Sequence, residues 1–492
     1  MFLLILGSLF VIWLIQQFYW KRKDLPPGPT PLPLIGNVLS LVRDPPGYTV
    51  LEKWRQQYGP VFTYWFGPYP MIMVADYQLM KDTFVKDGDK YAGRFKNDTL
   101  YIFRGGEYGI LDTSGDVWRE MRRFAIHTFR DFGMGRNIME EKILCEVGAF
   151  NDRLLAQQGQ EVSPQWEFDL GVGSVVNNML LGYRFDEDKH AEFRDLKEVL
   201  TDHLKVVSSA PVILAVTVKP LRNLPFFKGA FQKALIVRDR LFEFFDRQIE
   251  SRKAAIDYDS ENNADFVECF LKEIHKRKDE KDGHYHIEQL KNVLFDLWIA
   301  GMETTSNTLT WGIAYILNNP EVQKKIIEEL DKNIDSDRLI TLADKPKLNY
   351  ISATINEIQR MANLLPINLF HVTTEDVTVA GYTIPNNTMI NPLISVLLYD
   401  EKVFPEPYKF KPERFLEADG SLKKFEEFMP FSLGKRQCPG EGLAKIELFL
   451  FLANVFQKFE VSSVTTPSLK KHLGIIMTCA EYKCKFTERI RP

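Results

Sequence analysis

Apolar residues follow distinct rhythms along this chain, and each rhythm predicts a different element. Residues 1–15, MFLLILGSLFVIWLI, carry no charge. Gln16 and Gln17 follow, then Phe18-Tyr19-Trp20 and the basic triplet Lys21-Arg22-Lys23. A bilayer-spanning helix needs about 20 residues, which the run reaches if the aromatic trio lies at the interface. A cleaved secretory signal places its positive charge before the apolar run, and here the charge comes after it. The order predicts a retained anchor with the following chain on the cytosolic side. Pro26-Pro27-Gly28-Pro29-Thr30-Pro31-Leu32-Pro33 then predicts a short stiff spacer, since proline fixes φ and favours extended backbone. The expected organisation is an anchor over 1–20, a basic and proline-rich hinge over 21–37, and one catalytic domain over 38–492.

Within that domain, β-type alternation is confined to two places. One is residues 61–74, split by Gly67-Pro68-Tyr69-Pro70; the other is residues 377–390, with turns at Ala380-Gly381 and Pro385-Asn386-Asn387. Elsewhere the apolar spacing is helical, as in Val322, Ile326, Ile327 and Leu330, or Ile351, Ile355, Ile358 and Leu365. From 443 to 456 the chain is apolar nearly all round, which predicts a buried helix. The fold class expected is mainly α with a minor β region. Residues 211–227, PVILAVTVKPLRNLPFF, are too broken by proline to cross a bilayer. They are expected to form a loop, and a loop that dips into the membrane surface and a loop that is buried both remain open.

Composition narrows the function. The formal net charge is −4, which makes no case for nucleic-acid binding. The 36 phenylalanines suit an interior that receives apolar ligands. The five cysteines, Cys145, Cys269, Cys438, Cys479 and Cys484, include no CxxC pair, so a disulfide framework is not expected. The pair His284 and His286 lies beside a charged run over 276–282 and is expected to be part of a solvated loop, not a metal site.

The segment Phe431-Ser432-Leu433-Gly434-Lys435-Arg436-Gln437-Cys438-Pro439-Gly440-Glu441 concentrates chemistry. Gly434 permits a turn with positive φ. Pro439 suits a first helical position and Glu441 a first turn. A cysteine at a helix start meets free N–H groups that favour thiolate. Gly440 removes a side chain where a flat cofactor has to approach, and Arg436 supplies a cation for a carboxylate. A lone thiolate in an apolar loop makes a poor zinc site and a good axial ligand to haem iron.

The pattern FxxGxRxCxG in this segment resembles the haem-binding loop of the cytochrome P450 family at every fixed position. Further stretches resemble the same family in the same order. Ala300-Gly301-Met302-Glu303-Thr304-Thr305 resembles its oxygen-binding helix, Trp118-Arg119-Glu120-Met121-Arg122 its WxxxR helix, and Glu357-Ile358-Gln359-Arg360 with Phe410–Phe415 its structural triad. The match is to the microsomal, reductase-dependent branch that oxidises drugs and lipids. The resemblance implies haem b held by Cys438, with Trp118, Arg122, His371 and Arg436 on its propionates and Ala300, Phe431 and Gly440 against the ring. It implies Glu303 and Thr304 as an acid–alcohol pair delivering protons to bound oxygen, and Glu357, Arg360 and Arg414 as a scaffold. It implies insertion of one oxygen atom from O2 into a lipophilic substrate, with electrons from an NADPH-dependent flavoprotein reductase, cytochrome b5 as a second donor, and residence in the endoplasmic reticulum membrane. No Rossmann or flavin fingerprint occurs within the chain. Arg119, Arg122, Arg123 and Arg130 with Lys423, Lys424 and Lys435 suggest a basic docking face on the thiolate side. The pocket is expected to include Phe103, Ala300, Thr304, Ile367 and Ile475. One position departs from the family pattern: Phe370 stands before His371, where related members carry proline. Haem-thiolate isomerases or dehydratases, a non-catalytic haem sensor and a haem-free cysteine sensor are the rival readings.

Overall fold

The computed structural model describes residues 2–18, 20–43, 48–96, 98–133, 137–260, 264–280, 283–472, 474 and 476–490. Tyr19, Lys281, Asp282 and Ile475 therefore lie outside the described residues. Helices dominate, and the apolar run at 443–456 lies within a helix Glu441–Lys458 whose Phe449, Leu450, Phe451 and Phe456 are fully buried. The proline-broken stretch is a correction to the expected loop: it folds as a short helix Ala210–Thr217, a single-turn segment Lys219–Asn223, and the start of a long helix Pro225–Ala255. Within it Val212 and Ala215 are buried while Leu224 and Phe226 are exposed.

The centre of the fold is the 31-residue helix Ile287–Leu317. It packs against Pro164–Leu181, Glu441–Lys458, Asn349–Ala362 and Pro225–Ala255. Glycine in mid-helix costs conformational entropy, and packing explains Gly301. A Cβ there would meet Val176 of the neighbouring helix at 3.0 Å, so the two backbones approach closely at this point.

The strands are β1 (Val61–Phe66), β2 (Tyr69–Val74), β3 (Gly93–Arg94), β4 (His371–Val372), β5 (Val377–Val379), β6 (Tyr382–Ile384) and β7 (Met389–Pro392), followed by short C-terminal strands. The main sheet has the order β1-β2-β7-β4-β3. Its far edge matters for function, because Arg94 and His371 are directly opposed there.

The Glu357 scaffold takes its expected form. Arg360 donates Nε to Glu357 Oε2 at 2.7 Å and a second nitrogen to Oε1 at 2.9 Å. Arg414 Nε reaches the same Oε1 at 3.0 Å, and the Lys411 N–H reaches it at 2.9 Å. Both Glu357 and Arg360 are fully buried. Removing one partner of a buried ion pair strands the other charge in a low dielectric, which costs about 3–5 kcal/mol. Glu357→Ala is therefore expected to destabilise the protein by about that amount in denaturant unfolding, and a loss under about 1 kcal/mol would count against the scaffold role.

Candidate functional site: a thiol cradle ringed by cations

Leu433 is extended, Gly434 turns the chain at φ +72°, and a single 3-10 turn Gly434–Arg436 leads to Cys438. A Cβ on Gly434 would sit 1.9 Å from the Phe84 carbonyl oxygen, so only glycine fits this turn. The Cys438 N–H donates to Phe431 O at 3.0 Å, which closes the loop. The helix starts at Glu441 with Gly440 as its N-cap residue, so Pro439 lies just outside it and not at its first position. The backbone N–H groups of Gly440 and Glu441 reach the sulfur and favour its thiolate, as does the nearby Arg122. Burial is the larger influence and pushes the Cys438 thiol up. This corrects the expectation that the helix start alone makes a thiolate; a coordinated metal, which deprotonates a bound thiol outright, would supply the difference. Cys438 nonetheless keeps an exposed surface.

Around the thiol the fold collects cations. Helix Gly115–Asp131 presents Trp118 and Arg122 one turn apart. The Arg436 guanidinium stacks 3.8 Å from the Trp118 ring centroid, and Arg122 donates to Gln437 O at 2.5 Å. Arg436 donates Nε to Ala92 O at 2.8 Å and is buried. Arg94 was not foreseen from sequence. It is buried, donates Nε to Leu111 O at 2.8 Å and a second nitrogen to Phe370 O at 3.1 Å, and opposes His371 across the strands. His371 Nδ1 bonds Tyr91 O at 2.9 Å.

Their mutual repulsion is visible in their acidities. Burial, then Arg94 and Arg122, pulls Arg436 down to about 8. Burial and Arg122 pull Arg94 down to about 10. Burial, then Arg94, keeps the His371 imidazolium well below its ordinary range. Asp112 is the acidic group that Arg94 and Arg436 both feel, and it is already bonded to Arg104 at 2.8 Å. Buried cations that lean on backbone carbonyls and on one another form a site for anionic oxygens. Two carboxylates on one edge of a flat ring, with the ring over Cys438, fit this donor set.

The Phe370 departure from the family pattern is accommodated. The Phe370 ring packs edge-on against Phe66 at 5.2 Å. Asn391 holds the loop by accepting the His371 N–H at 2.7 Å and donating to Ile367 O at 2.8 Å.

On the central helix, Ile299, Ala300, Gly301 and Thr304 are only half-buried, while Trp298, Met302 and Thr305 are buried. Thr304 turns its hydroxyl onto Ala300 O at 2.7 Å, as a mid-helix threonine does. Glu303 goes elsewhere: its carboxylate bonds Lys197 Nζ, and Asn307 Nδ2 at 3.1 Å. The structure thus does not bring Glu303 and Thr304 into direct contact. Phe103 flanks His203 at 5.6 Å, and Phe295 flanks it at 5.4 Å. Phe431 is half-buried and carries Lys445 over its ring at 5.6 Å.

On the thiolate side, Arg123, Arg130 and Lys424 are exposed. Lys435 and Arg119 are partly neutralised by Asp89 at 3.2 Å and Asp116 at 2.9 Å. An open hollow of about 310 Å³ lies beside them, lined by Val85, Phe428, Met429, Gln437 and Lys445. His284 is bonded to Glu120 at 2.7 Å, and no cluster able to hold a metal ion occurs among the described residues.

Comparison with known proteins points the same way. The family model described as Cytochrome P450 matches residues 26–486. The chain is 34% identical to Cytochrome P450 2B19 of Mus musculus over 494 residues, 99% of each chain. It is 35% identical to Cytochrome P450 2B2 of Rattus norvegicus over 98% of this chain and 97% of that one. It is 35% identical to Cytochrome P450 2C8 of Homo sapiens over 90% and 89%. A chain with this cysteine loop, a cluster of cations beside it and full-length likeness to these proteins belongs to the cytochrome P450 family and is a haem-thiolate monooxygenase.

Proposed function

We propose that the chain oxidises lipophilic small molecules, of xenobiotic, fatty-acid or steroid-like kind, at the membrane of the endoplasmic reticulum, with electrons from an NADPH-dependent flavoprotein reductase. The observation that carries this reading is the cluster of Arg94, Arg122, Arg436 and His371, with Arg122 beside Cys438. Bound haem supplies the oxygen-activating chemistry. Cys438 would supply the thiolate ligand, and Trp118, Arg122, His371 and Arg436, joined by Arg94, would hold the propionates. Ala300, Phe431 and Gly440 would lie against the ring. Thr304, whose hydroxyl rests on Ala300 O, hands a proton toward the oxygen side, and Glu303 is the acid behind it. Apolar walls, including Phe103, Phe295 and Ile367, receive the substrate and exclude water.

Residues 1–20 act as the anchor and 21–37 as the hinge, with the catalytic body from 38 onward facing the cytosol. The helix Phe2–Phe18 has 17 residues, and among the described residues no single helix is long and apolar enough by itself to cross a membrane. With Trp20 and the basic triplet at the interface, about 25 Å of helix approaches a bilayer core of about 30 Å. Arg123, Arg130 and Lys424 face the reductase, with cytochrome b5 as a second donor at the same surface.

The direct test combines spectroscopy and turnover. The reduced carbon-monoxide complex is expected to show a strongly red-shifted Soret band that Cys438→Ala abolishes. With reductase, NADPH and O2, screened lipophilic compounds are expected to yield hydroxylated products. Substrate conversion without consumption of NADPH would instead indicate isomerase or dehydratase chemistry. For the partner, the double substitution Arg123→Glu and Lys424→Glu is expected to slow the first reduction by about tenfold at low salt while haem content stays unchanged. An unchanged reduction rate would remove these residues from the docking surface.

A further inference from the structure

Polar side chains that the fold leaves unsatisfied gather around the Phe295 ring. His203, on helix His190–Val207, is 5% exposed, and its Nδ1 has no hydrogen-bond partner among the described residues. Its ring packs against two aromatic rings: Phe103 of helix Asp98–Arg104 at 5.6 Å and Phe295 of the central helix at 5.4 Å. Phe295 precedes the half-buried Ile299 by one helical turn, so the two share a face. The Arg104 guanidinium lies over the same Phe295 ring at 4.8 Å. Arg104 is buried as well, and its Nη1 is likewise without a partner. Asn292, also buried, donates Nδ2 to Arg104 O at 3.1 Å and leaves its Oδ1 unpaired.

A buried polar group is ordinarily paired, because an unpaired one has lost water and gained nothing. His371 follows that rule by bonding Tyr91 O, and His203 Nδ1 does not. The charges nearby are already matched. Arg104 holds Asp112 at 2.8 Å and Asp296 at 2.7 Å. Arg238, over the Phe103 ring at 5.6 Å, bonds Asp239 at 2.7 Å, Ile102 O at 3.1 Å and Phe103 O. A carboxylate brought here would be one more buried negative charge beside two aspartates. A hydrocarbon would leave the nitrogens unpaired. An uncharged oxygen avoids both costs, since a neutral imidazole offers one N–H and one lone pair. We propose that His203, with Arg104 beside it, is a specificity site that binds an uncharged carbonyl or hydroxyl oxygen of an otherwise apolar substrate. Burial, then Arg104 and Arg238, pulls the His203 imidazolium down to about 4, in keeping with a neutral ring. Phe295 precedes Thr304 by nine residues, so the anchor lies about 13 Å along the helix from Thr304. The proposal rests on the reading of the chain as an oxidase of lipophilic molecules. Among the kinds named there it selects neutral ketones and alcohols, steroid-like ones included, over free fatty acids.

The test reads binding as the Soret shift of the full-length, haem-loaded protein. The probes share one chain length: dodecane, dodecanol, decyl methyl ketone and dodecanoate. Each is titrated into the native chain and into His203→Phe, which keeps an aromatic ring and removes both nitrogens. The ratio of the two affinities, taken probe by probe, cancels each probe's own preference for leaving water. The ratio should be about tenfold for the alcohol and the ketone, the scale of one hydrogen bond to a buried group. It should stay close to one for dodecane and dodecanoate. His203→Asn, whose amide stands near the place of Nδ1, should recover part of the loss for the alcohol and the ketone. A histidine with a structural role alone would change all the ratios alike, and that result would overturn the proposal. A ratio largest for dodecanoate would overturn it too, by making the site one for anions. If dodecane shifts the native Soret band but no ratio singles out the oxygenated pair, the lipophilic-substrate reading stands and this inference falls. If no probe shifts the native band, both fall. Haem content and the reduced carbon-monoxide band check folding; where His203→Phe fails them, His203→Leu takes its place in the same ratios.

Discussion

The structure turns on clustered positive charge that, among the described residues, is offset only in part, by Asp112. Arg94, Arg122 and Arg436 crowd together beside Trp118 and His371, and their hydrogen bonds run to backbone carbonyls, not to carboxylates. Such a cluster is unfavourable by itself, since like charges in a low dielectric repel and each has lost hydration. It is tolerable in a protein whose folded state includes an anion that sits among them. The turn at Gly434 and the loop closed by the Cys438 N–H and Phe431 O set the cysteine beside these cations, with Arg122 near the sulfur.

Separate parts of the fold hold that cluster in place. The edge of the sheet fixes Arg94 opposite His371, and the adjoining strand anchors the loop through Asn391. The helix carrying Trp118 provides the stacking surface for Arg436. The Glu357–Arg360–Arg414 network ties helix Asn349–Ala362 to the segment that leads toward the cysteine loop. In that network the charges are paired and fully buried, so it contributes fixed geometry. In the cradle they are unpaired, so it contributes affinity for an anion. The two kinds of buried charge divide the labour between scaffold and site.

The readable parts of the sequence were those where function fixes several residues in a short stretch. Cys438, Gly434, Arg436 and Gly440 lie within one loop, and Trp118 and Arg122 within one helical turn, so each group could be matched in the sequence to a family motif. The long central helix and the 61–74 hairpin were legible because their periodicities are strong. Arg94 was hidden because its strand has two residues and its partner His371 is distant in sequence; a lone arginine in YAGRF was its only signal. The surroundings of Glu303 were hidden for the same reason, since Lys197 comes from another helix. The state of the Cys438 thiol depends on how burial and helix-start N–H groups balance, which spacing does not weigh. The stretch 211–227 folded as helices because its prolines fall at helix starts, where proline is tolerated, and not in their interiors.

The claim that unpaired cations define the site is tested most directly by comparing haem with its dimethyl ester, in which both propionates are neutral. Affinities for the apoprotein would be measured for each, in the native chain and in Arg436→Gln. The account predicts that the ester binds the native chain at least about tenfold more weakly than haem, each lost charge-assisted contact being worth about 1.5–3 kcal/mol. It also predicts that the gap narrows in Arg436→Gln. Equal affinity of haem and ester for the native chain would contradict it.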